Sequence, residues 1–137
     1  MASGLSDYFE NEILGYIFGG RSYTNPATYY VGLWTATLSD ASTGSTAGEV
    51  SGGSYARVSV TNDSSNFDSP SGGATANTTL IAFPMAAASW GTVSYVALCD
   101  AATSGNIIAY AQLTSPVTVS QYDTVLFQPG DLDITIT

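Results

Sequence analysis

With 137 residues, the chain is long enough for one domain around a single hydrophobic core, about 70 % of the unfolded surface being buried at this size. Only 9 % of it is charged, and eleven carboxylates face two arginines with no lysine or histidine, for a formal net charge of −9. Nucleic acid and anionic membranes both demand clusters of Lys and Arg, so neither is a partner that this composition can serve.

The N-terminus, MASGLSDYFENE, places acids where a signal peptide would carry its apolar core, and no apolar run approaches the ~20 residues of a spanning helix. Leu5 to Phe18 predicts the one helix, with Ser6 as N-cap, Asp7 and Glu10 in the first turn where the macrodipole favours anions, and Gly19 and Gly20 as its stop. Leu5, Tyr8, Phe9, Glu12, Ile13, Tyr16 and Ile17 follow a 3, 4 spacing and form a stripe that is apolar apart from Glu12. That stripe packs either on the chain's own sheet or, as a docking arm, on a neighbouring subunit.

After a turn at Asn25 and Pro26, Tyr29 to Thr35 is apolar on both faces apart from Gly32, the pattern of a central strand covered twice. Leu38 to Gly48 reads as a mobile surface excursion. Gly52 and Gly53 then allow a reversal into a strand from Ser54 to Val60, with Ala56, Val58 and Val60 on one face and Tyr55, Arg57 and Ser59 on the other. Arg57, one of two cations, is a structural ion-pair partner for Glu49 or another acid. A second polar loop runs from Thr61 to Thr78. Strands follow at Thr79 to Phe83, Val93 to Cys99, Ile107 to Leu113, Val117 to Val119, Thr124 to Phe127 and Leu132 to Ile136, each bounded by turn residues. Short strands with hairpin-length connections predict a mainly β fold, an antiparallel β-sandwich or jelly-roll-like barrel with one N-terminal α-helix. The chain divides into a helix or arm at 5–18 and a sandwich at 28–137, within a single domain, 1–137.

Little in the chain is suited to chemistry. Asp123, Asp131 and Asp133 are the densest carboxylates, and in a strand Asp131 and Asp133 share a face with Thr135 and Thr137 while Leu132, Ile134 and Ile136 point inward. Two carboxylates so placed could bind Ca²⁺ or act as an acid pair, but the clean apolar opposite face marks them as a solvated surface. Cys99 lies in an apolar strand with no imidazole in the chain to activate it, and standing alone it permits no intrachain disulfide, which favours an intracellular folding site. Gly52 with Gly53 and Gly72 with Gly73 lack the spacing of phosphate loops. Trp34, Trp90, Tyr95 and Tyr110 could stack on sugar rings, but in or beside strands they read as core or interface packing. No catalytic residue, metal site or cofactor is expected.

The order YVGLWT, EVSGGSYAR, FP, WGTVSYVALCDAATSGNIIAYAQL and GDLDITI resembles a family of small tailed-bacteriophage virion proteins, variously labelled tail fibre or capsid decoration (cement) proteins. The resemblance spans Leu5 to Ile136, with EVSGGSYAR and WGTVSYVAL its most specific parts; Thr61 to Thr78 is longer than is usual in such chains, and Cys99 replaces an apolar or aromatic residue. It implies a non-enzymatic protein, made in the host cytoplasm, that coats the capsid outer surface as a homotrimer and clamps the major capsid protein. The alternative it implies is a tail-fibre or adhesin module for a host glycan or receptor. Leu5, Tyr8, Ile13, Ile17, Arg57, Trp34 and Trp90 are the candidate structural and interface residues.

Overall fold

Strand β2 (Thr28–Trp34) sits second from one edge of the main sheet, because its residues are apolar on both faces and need cover on both. Tyr29, Val31 and Leu33 enter one apolar cluster and Tyr30 and Trp34 the other. The computed structural model describes residues 3–136. Its five-stranded antiparallel sheet has the order β1 (Ser3–Leu5), β7 (Ile107–Val119), β6 (Gly91–Cys99), β2, β3 (Val58–Thr61). Two short antiparallel ribbons, β4 (Ala74–Ala76) with β9 (Asp133–Thr135) and β5 (Ile81–Ala82) with β8 (Leu126–Phe127), form a second layer. Ile81, Phe83 and Phe127 bring that layer down onto Val31, Leu33, Val96 and Leu98. The result is mainly β and sandwich-like. The sheet stays open, with β1 and β3 at its edges, so the jelly-roll-like barrel is not formed among the described residues.

Helix α1 (Asp7–Phe18) is capped by Ser6, whose Oγ accepts from the Phe9 N–H at 3.2 Å and donates to the Ile107 carbonyl. One hydroxyl therefore both starts the helix and ties it to β7. Leu5, expected in the helix, pairs with Ala109 in β1 instead, since the chain is still extended before the cap. Several strands are shorter than their sequence patterns. The run from Ser54 to Arg57 is not strand: Ser54 takes φ 65°, which turns Tyr55 inward, leaves Ala56 exposed and buries Arg57. The strands expected at Ile107 to Leu113 and Val117 to Val119 are one strand. Tyr95 opposes Gln112 and Val93 opposes Val117, so residues 113–116 bulge opposite Ser94. Pro116 has no N–H to give the ladder, and the bulge absorbs that deficit. The same irregularity reverses the face, Val93 entering the first cluster and Tyr95 the second. Ile136, expected inward, is exposed, and Thr137 lies outside the described residues.

Both long loops are folded. Within Thr61 to Thr78, the Asp63 carboxylate accepts from the Ser65 and Asn66 N–H groups, Phe67 meets Tyr29 edge-on at 6.2 Å, and β4 pairs with β9. Leu38 to Gly48, expected to be mobile, is held from below. Leu38 and Gly44 are buried, and the Trp34 indole N–H donates to the Thr46 carbonyl at 3.0 Å.

The main fastening is Arg57. Its Nε and Nη2 donate to the two Glu49 carboxylate oxygens at 2.7 and 2.8 Å. Its remaining donors reach the carbonyls of Gly44, Ala101 and Ser104 at 2.8–2.9 Å, so all five guanidinium N–H groups are used. The Tyr55 hydroxyl also donates to Glu49 while accepting from the Leu33 N–H. Gly32 makes room for this group: a Cβ there would stand 2.9 Å from the Trp34 ring and 3.3 Å from Arg57 Nε. The expected pairing with Glu49 is thus present, and it is bidentate. The Arg57 side chain is 1 % exposed and that of Glu49 22 %, so Arg57→Met strands a largely buried carboxylate and should lower stability by about 3 kcal/mol. Urea denaturation measures this directly, and adding Glu49→Gln should recover part of the loss. An unchanged midpoint in Arg57→Met would show the pair to be idle.

Alkaline pH offers a second measurement. Burial, then the hydrogen bond it donates to Asp40, pushes Tyr110 up to about 12 from its usual 10.0, and burial above all pushes Tyr23 to about 12. Burial also raises Tyr55. In the unfolded chain these phenols ionise near 10, so the folded state holds more protons between about pH 10 and 12. Their contribution is complete below pH 10 and is lost as pH rises towards 12. Denaturation midpoints should be flat from pH 7 to 9 and fall above 10, with a shallower fall in Tyr110→Phe.

Candidate functional site

The apolar stripe of α1 is covered only along its first half. Tyr8 and Phe9 pack against the first cluster and Phe9 meets Tyr23 at 5.9 Å, while the Asp7 N–H donates to the Asp40 carbonyl at 2.8 Å. Beyond Ile13, itself half-buried, the helix leaves the sheet. Leu14, Tyr16, Ile17 and Phe18 are 55, 62, 60 and 81 % exposed. Four large apolar side chains in five positions thus face solvent. Arg21 folds back beside them, its chain against Gly15, where a Cβ would approach Arg21 Cδ to 2.9 Å, and its guanidinium 3.4 Å from Glu12.

A run of concave surface follows β7. Between β1, β7 and β9 lies a groove of about 520 Å³, lined by Leu5, Tyr110, Leu113 and Phe127 with Asp131 and Asp133 at its margin. Past the bulge it continues, through the shared Leu113, Thr114 and Phe127, into a groove of about 250 Å³ whose walls are Val93, Val117, Val125 and Leu126. Val117 and Leu126 are exposed there.

Of the residues singled out in the sequence, Leu5, Tyr8, Ile13 and Ile17 lie along β1 and α1, and Ile17 belongs to the exposed end. Arg57, Trp34 and Trp90 lie inside the fold, as packing rather than contact residues. The Trp90 indole donates to the Gly53 carbonyl at 2.9 Å and its ring meets Tyr55 and Phe83 edge-on, so neither tryptophan offers a face to a sugar. Leu14 and Phe18 fall off the 3, 4 stripe; the signal for the exposed end is the run Tyr16, Ile17, Phe18, which spreads apolar surface around more than half of the helix just before its stop.

Acid and thiol groups are placed for structure. The Asp123 carboxylate accepts from the Ser120 N–H at 2.8 Å and that of Asp131 from the Gln128 N–H at 2.7 Å, each closing its own turn. Asp133 is exposed on β9. Among the described residues no group of three or more His, Cys, Asp and Glu is placed to hold a metal ion. Cys99 is fully buried, and burial pushes its thiol to about 12.

A search among curated proteins finds no match to the chain. The family model described as podophage GP4 fiber I protein gp80 matches residues 4–135, from within β1 to the last residue of β9. With that match covering every strand and the helix, the chain belongs to this family of tailed-phage virion proteins, whose label is that of a fibre.

Proposed function

We propose that the protein is a structural subunit of a podophage tail fibre, acting by assembly and without catalysis. The observation that carries this reading is the fibre family's match over residues 4–135. It moves the emphasis from the capsid-cement role implied by sequence resemblance to the tail-fibre alternative. Physical features agree with it. Only 9 % of the chain is charged, so its surface loses little hydration when covered by another protein, and the apolar end of α1 gains from being covered. A glycan-binding tip is the weaker form of the reading, because the indole faces that would stack on sugar are packed in the core.

Gold-labelled antibody against the protein, imaged on intact virions, tests the proposal together with its copy number by gel densitometry. The expected result is label on fibres at the tail, with on the order of tens of copies per particle. Label spread over the capsid shell in hundreds of copies, with DNA lost at lower temperature from particles lacking the protein, would overturn it in favour of cement.

A further inference from the structure

The exposed end of α1 and the groove beside β7 and β8 fit one occupant: a second copy of this chain. We propose that copies join head to tail, the Leu14, Tyr16, Ile17 and Phe18 end of α1 from one copy seating against Val117 and Leu126 of the next. For its place in the virion this rests on the fibre reading; the contact itself belongs to the isolated chain.

Three observations carry it. Both surfaces are open in the same molecule, so α1 does not fill its own groove. They also start from different ends of the β6–β7 ladder: the Ser6 cap fastens α1 at Ile107 and Ile108, whereas the groove lies beyond the bulge towards Val119. Third, the charges are complementary. At a net −9, most contacts between two copies bring acid against acid. Arg57 is spent in the core, and the other side-chain cation, Arg21, lies beside Gly15 on the docking end of α1. Asp131 and Asp133 line the larger groove, which runs on into the docking groove through Leu113, Thr114 and Phe127. Head-to-tail docking therefore brings the one cation that can reach a neighbour to the neighbour's acids. A symmetric α1-to-α1 contact would leave the groove uncovered and gather Glu10 and Glu12 of both copies at one interface.

A contact between two unlike surfaces does not use itself up. Each added copy presents a fresh helix end and a fresh groove, so assembly ends only when a ring closes, and otherwise continues as a filament.

The test pairs two variants of the full chain, Phe18→Asp with a dead helix end and Leu126→Asp with a dead groove, each checked for native circular dichroism. By sedimentation velocity the unmodified protein should associate with rising concentration, and each variant alone should associate on the order of 30-fold more weakly or worse. Mixed one to one, they should form a dimer that grows no further, because its two free surfaces are both dead. A monomeric unmodified protein overturns the proposal and points to another virion protein as occupant. Association that survives Leu126→Asp but not Phe18→Asp overturns it in favour of the symmetric contact, and failure of the mixture to dimerise does so as well. Should Leu126→Asp not fold, the double variant Phe18→Cys with Leu126→Cys serves, since buried Cys99 stays silent. Oxidation should give a ladder of linked copies on a non-reducing gel; its absence overturns the proposal.

Discussion

One guanidinium is the point on which several stretches of the chain converge. Arg57 reaches Glu49 just before its own turn, Gly44 in the preceding loop, and Ala101 and Ser104 in the hairpin between β6 and β7. It also lies 5.4 Å from the centroid of the Trp34 ring. Burying a charge is expensive unless partner and hydrogen bonds are complete, and here both conditions are met. The planar fork matters as much as the charge: a lysine has three donors for five acceptors and would leave carbonyls stranded. Around this point the loop 38–48 can be polar, small and still ordered, because its carbonyls are fastened from beneath and Leu38 anchors it in the core.

The fold was legible where local pattern and burial coincide. A doubly apolar run made β2 interior, Ser6 before Asp7 and Glu10 marked the helix start, and a cation so scarce had to be paired. What failed was whatever depends on contacts distant in sequence. Strand β4 is three residues of alanine and threonine, and it is a strand only because β9 lies beside it. Arg57 takes two of its three carbonyl partners from a loop more than forty residues away, which no periodicity announces. The stripe on α1 was visible, but whether the chain covers it depends on where the helix leaves the sheet, and β7 supports only its first half.

Composition and surface belong together in this family of virion proteins. A chain that substitutes hydroxyls for ions keeps its exposed groups hydrated in the free state, yet these groups give up far less on burial than paired charges would. Several of its acids close turns, Asp63, Asp123 and Asp131 each accepting backbone N–H groups within a few residues. The electrostatic character of the protein is thus in part a by-product of how its turns are built, and Asp131 and Asp133 carry it onto the concave face.

The bulge at residues 113–116 has a bearing on polymerisation. Among the described residues no strand pairs with the outer side of β7 beyond Gln112, and an edge of unpaired backbone groups is a template for adding further strands. The bulge, with a proline in it, interrupts the straight ladder that such growth requires. Along this edge, contact with another protein is left to side chains of finite shape, and the zipping of sheet onto sheet finds no straight template.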